Sequence, residues 1–246
     1  MAKKQATKTT TSSSEIDDLA RDVLSVINKK FKEFPNAAGF LSDANLVTDW
    51  VSTGCDMLDL AISNRPKAGV PFGIIIEMSA LPGVGKSLLA AHILAETQKM
   101  GGIGVLFDTE KAVGMLDFWL SVGVDPQKLI YLDKVRALED IYDTIETTIG
   151  KIISTNKDGP VTIVVDSVMG ATTNKELEAD FDTKGYATAK ALINSIAMRK
   201  LPSLLIGRKI NIVLINQLRS NMNAGMFADP YCVDPFTTKI KVRYRI

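Results

Sequence analysis

Residues 74–91 read IIIEMSALPGVGKSLLAA, and this stretch decides the fold. The apolar run Ile74–Met78 predicts a buried strand, and the apolar spacing after Ser87 predicts a helix. Ala80–Ser87 lies between them and carries the glycines, lysine and serine of a phosphate-binding loop. Because the loop stands between a strand and a helix, as a P-loop must, we interpret it as a nucleotide site rather than an accidental Gly-Lys-Ser at a helix start.

This interpretation gives each loop residue a role. Lys86 would reach the β- and γ-phosphates of ATP, and the Ser87 hydroxyl would bind Mg²⁺ at the helix N-terminus. The first glycine of the motif is replaced by Ala80, so we expect the loop to lose some conformational freedom there. The predicted nucleotide contacts are Ala80, Leu81, Pro82, Gly83, Val84, Gly85, Lys86 and Ser87.

A second strand supplies an acid suited to the metal. The run Val161–Val165 is apolar and is followed directly by Asp166. A carboxylate in this position holds the Mg²⁺ shell of P-loop enzymes. The alternative is that Asp166 caps the next helix, which is common for an aspartate at a strand end.

Two further strand ends carry polar groups. Asp108 and Glu110 follow one apolar strand, and Glu110 is the candidate for orienting or deprotonating the attacking water. Asp108 could act instead, or both could be solvated loop charges. Gln217 follows Ile215 and Asn216 at another strand end, where its amide could sense the γ-phosphate or be a buried amide.

Apolar strands alternate with helical patterns along most of the chain. This rhythm predicts an α/β fold with a mainly parallel central sheet. The predicted strands are Ile74–Met78, Gly104–Phe107, Leu129–Leu132, Val161–Val165 and Ile210–Ile215. The predicted helices between them are Ser87–Lys99, Met115–Val122, Ala137–Ser154 and Tyr186–Leu205.

The N-terminal part has a different pattern. Residues 1–14 are mostly Lys, Thr and Ser, and we interpret them as a disordered tail without a signal peptide. Apolar residues at three- and four-residue steps predict an amphipathic helix over Glu15–Phe34. Asn36–Gly39 resembles a linker, so residues 15–38 are predicted to form a separate helix and linker before a core at 39–246. The alternative is that this helix packs on its own core.

Composition excludes several functional classes. The net charge of +1 argues against a wholly polybasic nucleic-acid binder, although not against a local basic surface. The two cysteines, Cys55 and Cys232, lack the spacing of a zinc site, and a single histidine makes a His-pair metal site impossible. With no apolar run of about 18 residues, we predict a cytoplasmic protein that does not enter membranes.

At these motifs the sequence resembles the RecA family of strand-exchange ATPases, from about Val51 to Pro230. The stretches that carry the resemblance are VSTGCDMLD (51–59), the P-loop, FDTEKA (107–112), VVDSV (164–168), AMRKL (197–201), INQLR (215–219) and GMF (225–227). The resemblance implies a RecA-like P-loop core that uses ATP and Mg²⁺. It also implies a helical filament of identical subunits, joined through the N-terminal helix.

Residue roles follow from the same resemblance. It implies that Glu110 activates water, that Asp166 belongs to the Mg²⁺ site, and that Gln217 is the switch amide between nucleotide and DNA. Phe118 matches the aromatic ring placed against adenine, although a core aromatic is about as compatible with its helix.

The resemblance further implies two loops that bind single- and double-stranded DNA. They fall at about Lys175–Gly185 and Arg219–Asp234. The candidate DNA contacts are Lys184, Arg199, Arg219 and Phe227. Lys239, Lys241, Arg243 and Arg245 alternate in a strand pattern, which suits either phosphate contact or a solvated edge strand.

Two departures bear on activity. The second loop lacks the glycine pair usual in the family, and the chain stops early, so we expect it to lack a separate C-terminal domain. The predicted function is a DNA-dependent ATPase that forms filaments on single-stranded DNA and promotes strand exchange. The alternatives are a non-exchanging protein that caps or regulates another recombinase's filaments, and a RecA-fold helicase motor.

Overall fold

A computed structural model describes residues 13–31, 38–40, 47, 49–111, 116–155, 159–179, 187–220, 231–233 and 244–245. These residues fall into two units, one within residues 1–46 and the other within 47–246. The sequence had placed this boundary between residues 38 and 39. Among the described residues, no helix is long and apolar enough to cross a bilayer.

The first unit is built on helix α1 (Ser13–Lys30). The helix begins two residues before the predicted Glu15 and includes Ser13 and Ser14, which the sequence had assigned to the tail. Asn28 donates to the Ala38 carbonyl (3.0 Å) and accepts from the Ala38 backbone N–H (2.9 Å). The predicted apolar stripe is solvent-exposed, with Leu19 at 63% and Val23 at 50% of full exposure.

The second unit contains the α/β core. Its helices are α2 (Asp56–Ser63), α3 (Lys86–Lys99), α4 (Leu116–Val122), α5 (Leu138–Thr155), α6 (Asn174–Glu178) and α7 (Ala187–Leu205). Its strands are β1 (Trp50–Val51), β2 (Val70–Pro71), β3 (Ile75–Ala80), β4 (Ile103–Asp108), β5 (Leu129–Leu132), β6 (Val161–Asp166), β7 (Ile210–Ser220), β8 (Tyr231–Val233) and β9 (Tyr244–Arg245).

The described strands of the main sheet lie in the order β5-β4-β6-β7-β3-β9, and neighbours along this path are parallel. The predicted α/β fold with a mainly parallel sheet is therefore confirmed. Register aligns the strand ends, because Asp108 lies opposite Asp166 and Ala80 lies opposite Gln217. The carboxyl ends of four neighbouring strands therefore lie side by side, and the polar residues at these ends come together there.

The central strands β3, β4, β6 and β7 are largely buried on both faces, which explains their apolar runs, whereas β5 is partly exposed. Alternate side chains pack into two core clusters: Phe107, Ile163 and Leu214 belong to one, whereas Leu106 and Val164 belong to the other. The first cluster includes residues of α5 and α7, and the second includes residues of α3. Burial on both faces is the usual environment of a parallel strand flanked by helices.

Strand β7 is longer than the sequence indicated. It continues past the predicted end at Ile215 to Ser220, because it pairs with β3 as far as Gln217 and then antiparallel with β8. The predicted second DNA loop, 219–234, therefore begins within β7, and its residues 231–233 form β8. The predicted first loop also begins in regular structure, since Lys175 lies in α6 behind a capping box formed by Thr173 and Glu176.

A buried carboxylate organises the segment before the P-loop strand. Asp59 of α2 is fully buried and accepts hydrogen bonds from the Ser52 hydroxyl (2.5 Å), the Thr53 backbone N–H (2.8 Å) and the Thr53 hydroxyl (2.6 Å). Hydrogen-bond donors satisfy this carboxylate, as a buried charge requires. The bonds join the turn after β1 to helix α2.

Candidate functional site

The phosphate-binding loop leaves the sheet at the end of β3 and enters α3 at Lys86. Gly83 and Gly85 have φ angles of 77° and 97°, which disfavour a side chain. Ala80 is instead the last residue of β3, paired with Gln217, and its φ angle is not positive. The backbone at Ala80 therefore does not require glycine, and the expected effect of this residue on the loop stays a prediction.

Lys86 and Ser87 are the P-loop residues with side chains suited to binding phosphate and Mg²⁺. The Lys86 ammonium donates to the carbonyls of Ala80 (3.1 Å) and Leu81 (2.8 Å), so it lies over the loop. The Ser87 hydroxyl donates to Oδ2 of Asp166 at 2.5 Å, across 79 residues of sequence. The structure thus brings together the two residues that the sequence had predicted as Mg²⁺ ligands.

This oxygen pair fits Mg²⁺, which prefers oxygen ligands and keeps several waters or phosphate oxygens in its shell. Within the described part of the chain, no cluster of three or more His, Cys, Asp or Glu side chains could hold a metal by itself. A site made of Ser87 and Asp166 alone would need the nucleotide's phosphates to complete it.

Burial and charge disfavour the ionised form of Asp166. Desolvation raises the pKa of its carboxyl, the Ser87 hydrogen bond lowers it, and the nearby carboxylates of Glu110 and Asp108 raise it further. The Lys86 ammonium lowers the pKa of the Asp166 carboxyl. A bound divalent cation would favour the ionised carboxylate, and protons would therefore compete with the metal as the pH falls.

Glu110 and Asp108 have different environments although both follow the β4 run. Asp108 is fully buried, and its Oδ2 accepts from the Tyr131 hydroxyl at 2.8 Å. Glu110 is exposed, and its Oε1 accepts from the Ser167 hydroxyl and from the Gln217 side-chain amide (3.0 Å). Of the two carboxylates, Glu110 is the one that solvent reaches.

Gln217 is anchored to the strand that carries the P-loop. Its backbone N–H donates to Oδ1 of Asn216 (2.9 Å), and Nδ2 of Asn216 donates to Oε1 of buried Glu77 (2.9 Å). Ser79 donates to the same Glu77 oxygen (3.0 Å). Hydrogen bonds therefore run from β3, through Asn216 and Gln217, to Glu110.

Sequence reasoning missed Glu77, Thr109 and Ser167 as members of this site. Thr109 and Ser167 each come directly after an acid-bearing strand, so their position was the available signal. Glu77 interrupts an apolar run, and a charged residue at a position predicted to be buried was its signal.

The residues predicted to contact adenine or DNA do not cluster with the phosphate-binding residues in the described part of the chain. Phe118 is half-buried, packs against the second core cluster and meets Trp119 edge-on at 5.1 Å between ring centroids. Its contact with adenine stays a prediction. Arg199 is exposed on α7, and Arg219 lies in β7 with its side chain outside the described part. Lys184 and Phe227 fall outside the described residues.

Most of the predicted cationic strand Lys239–Ile246 also lies outside the described residues. The described part, Tyr244–Arg245, forms β9 at one end of the strand order, parallel to β3. This position agrees with the edge-strand alternative. Two other basic residues of the core are engaged in ion pairs, Lys200 with Glu146 (2.5 Å) and Lys209 with Asp49 (3.1 Å).

Comparison with protein families matches residues 20–238 to the RecA N-terminal domain. The chain is 31% identical over 208 residues to Protein RecA of Herpetosiphon aurantiacus, covering 84% of this chain and 54% of that protein. It is 32% identical over 183 residues to Protein RecA of Campylobacter fetus, and 32% identical over 182 residues to that of Helicobacter pylori. Each of these two alignments covers 74% of this chain and 49% of the relative, so the chain spans about half the length of the curated relatives it matches.

Proposed function

This chain belongs to the RecA family, and from that premise we propose that it is a DNA-dependent ATPase that forms filaments on single-stranded DNA and promotes homologous pairing and strand exchange in the cytoplasm. The observation that carries the proposal is the convergence of two pairs at one sheet edge. Ser87 contacts Asp166 beside the P-loop, and Glu110 contacts Gln217 next to it.

In the proposed reaction, ATP binds with its phosphates over the P-loop. Mg²⁺ supplies charge neutralisation when it is held by Ser87 and Asp166. Lys86 stabilises negative charge on the transferred phosphoryl group, and Glu110 orients the attacking water and accepts its proton. The exposure of Glu110 supports this role over Asp108, whose carboxylate is buried and bonded to Tyr131.

The proposed link between ATP and DNA runs through Gln217. Its side chain contacts Glu110 at 3.0 Å, and its strand continues into the segment predicted to bind DNA, 219–234. We assign Arg199, Arg219, Lys184 and Phe227 to DNA contact. The exposure of Arg199 supports its share of that assignment. A change at the phosphates can thus alter the DNA segment through a short path.

The binding-only alternative is weakened by the geometry at Ala80. One of its supports was the missing first glycine of the P-loop, yet β3 holds Ala80 in a conformation that suits alanine. No feature of the described residues favours the helicase motor specifically.

ATP turnover with and without single-stranded DNA tests the function. We expect the protein to hydrolyse ATP in the presence of Mg²⁺ and to do so faster when single-stranded DNA is added, because binding DNA acts through Gln217 on Glu110. Steady-state phosphate release measures both rates. Absence of turnover both with and without DNA would contradict the enzyme, and turnover unaffected by DNA would contradict the DNA dependence.

Assembly through α1 gives a separate prediction. Removing residues 1–38 should leave a core that binds ATP but forms no filaments, and its affinity for single-stranded DNA should fall about 10²-fold or more, because the avidity of neighbouring subunits is lost. A continuous exposed apolar stripe is costly in a monomer and natural at a head-to-tail interface. Sedimentation with ATP and DNA measures the assembly.

Point variants control for the deletion. Leu19→Ser together with Val23→Ser removes the middle of the stripe, whereas Asp22→Ser changes an exposed residue of the same helix outside it. We expect the double variant Leu19→Ser/Val23→Ser to abolish sedimentation and Asp22→Ser to leave it unchanged. Filaments that persist without residues 1–38 would place the polymerisation surface elsewhere.

A further inference from the structure

The hydroxyl of Ser167 holds the candidate catalytic carboxylate in place. Ser167 is only 1% exposed, and its Oγ accepts a hydrogen bond from the Gly170 backbone N–H at 3.0 Å. The hydroxyl proton therefore goes to its other neighbour, Oε1 of Glu110. Thus the Glu110 carboxylate meets a donor whose own position is fixed.

The backbone around Ser167 is itself clamped to the end of β4. The Ser167 N–H donates to the Thr109 hydroxyl (3.0 Å), and that hydroxyl donates to the Ser167 carbonyl (2.8 Å). The Thr109 N–H also donates to the Asp166 carbonyl at 2.8 Å. These bonds bind the residue before Glu110 to the residue that contacts Glu110, so little freedom remains between them.

Gly170 completes a notch for the Glu110 side chain. A Cβ at position 170 would lie 2.6 Å from Cγ and 3.3 Å from Oε1 of Glu110. Real carbon contacts of 2.6 Å do not occur, so any larger residue would displace the glutamate or the turn. The glycine is required here for close approach and not for an unusual φ angle.

The two donors to Glu110 both meet the same oxygen. Ser167 and Gln217 donate to Oε1, and within the described part of the chain no hydrogen bond reaches Oε2. We infer that Ser167 is a positioning residue for hydrolysis, because it fixes the carboxylate by Oε1 and leaves Oε2 to accept the proton of the attacking water. The inference rests on the proposed ATPase function and adds a residue to it.

The test measures ATP turnover and ATP affinity in Ser167→Ala. We expect kcat to fall about 10-fold or more, since a loosely held base spends less time in the productive geometry. The Kd for ATP should stay within twofold, because the hydrogen bonds of the Ser167 hydroxyl go to Glu110 and Gly170 and not to the P-loop lysine or serine. Ser154→Ala, an exposed serine on α5, is the matched control and should change neither quantity.

A double-mutant cycle separates positioning from a merely structural role. In a Glu110→Gln background, Ser167→Ala should lower kcat no further, because the residue acts only through the lost base. Gly170→Ala offers a second route, since it retains the Ser167 hydroxyl while its Cβ would displace Glu110 or the Thr109 hydroxyl, which lies 2.8 Å away. It should also lower kcat with ATP affinity retained, and it keeps the inference testable if Ser167→Ala fails to fold.

The outcomes distinguish the two proposals. A folded Ser167→Ala or Gly170→Ala with wild-type kcat overturns the inference and leaves the ATPase standing. An additional fall in the Glu110→Gln background also overturns it, because Ser167 would then act by another route. If the wild type shows no ATP turnover, or if Glu110→Gln equals the wild type, the proposed catalytic assignment fails and the inference fails with it.

Discussion

Replacing Lys86 with alanine is expected to weaken ATP binding about 10²-fold or more while the protein stays folded. The expectation follows from the number of charged contacts that are lost: a hydrogen bond to a charged group contributes about 1.5–3 kcal/mol, and about 1.4 kcal/mol changes an affinity tenfold. Two such bonds to the β- and γ-phosphates would disappear together. Isothermal titration calorimetry with ATP and Mg²⁺ measures the loss.

The fold should tolerate this change. Lys86 is half-buried, and its contacts in the structure are the carbonyls of Ala80 and Leu81 at the rim of the loop. The matched control is Lys99→Ala at the opposite end of α3, where the lysine is exposed and paired with Glu96. Unchanged ATP affinity in a folded Lys86→Ala protein would remove the nucleotide-site assignment altogether.

Most of the architecture was predictable because strands that are buried on both faces of a sheet have mostly apolar sequences. Five strands read as mostly apolar runs, and four of the five differ from the observed bounds by no more than two residues at either end. The exception is β7, whose continuation to Ser220 depends on pairing with β3 and with β8. Non-local pairing of this kind extends a strand through polar residues that look like a loop in sequence.

The phosphate-binding part of the site was predictable for a different reason. A P-loop is local, so Lys86 and Ser87 are identified by their spacing between a predicted strand and a predicted helix. The parallel sheet then brings the end of β6, with Asp166, to the same end of the sheet. Ala80 shows the limit of motif reasoning. The sequence suggested a loop position that favours the conformational freedom of glycine, whereas the structure places Ala80 in β3, paired with Gln217.

The choice between Asp108 and Glu110 required the structure. Asp108 is the last residue of β4 and Glu110 lies two residues further along, and the sequence gives no measure of how deeply each carboxylate is buried. Asp108 is fully buried at the end of β4, opposite Asp166 of β6, whereas Glu110 is exposed. Likewise, Ser167 meets Glu110 across 57 residues, a contact that only the register of β4 with β6 produces.

Replacing Glu110 with glutamine should slow ATP hydrolysis by about 10²-fold or more while leaving ATP and DNA binding intact. In this environment, the substitution removes the proton-accepting oxygen without removing the hydrogen bonds that hold the side chain. Ser167 and Gln217 both donate to Oε1, and the glutamine side chain retains a carbonyl oxygen that can accept both bonds. The shape and anchoring of the side chain therefore persist, and what is lost is the second, proton-accepting oxygen.

Slow hydrolysis should also prolong the DNA-bound state, because hydrolysis is the proposed step that releases DNA. Single-turnover ATPase assays and DNA dissociation rates measure the two effects on the same protein. Glu96→Gln, at the far end of α3, provides the same chemical change away from the site and should match the wild type. If Glu110→Gln retained full DNA-dependent turnover, the glutamate would be a solvated strand-end carboxylate, and Asp108→Asn would become the next variant to assay despite the burial of that residue.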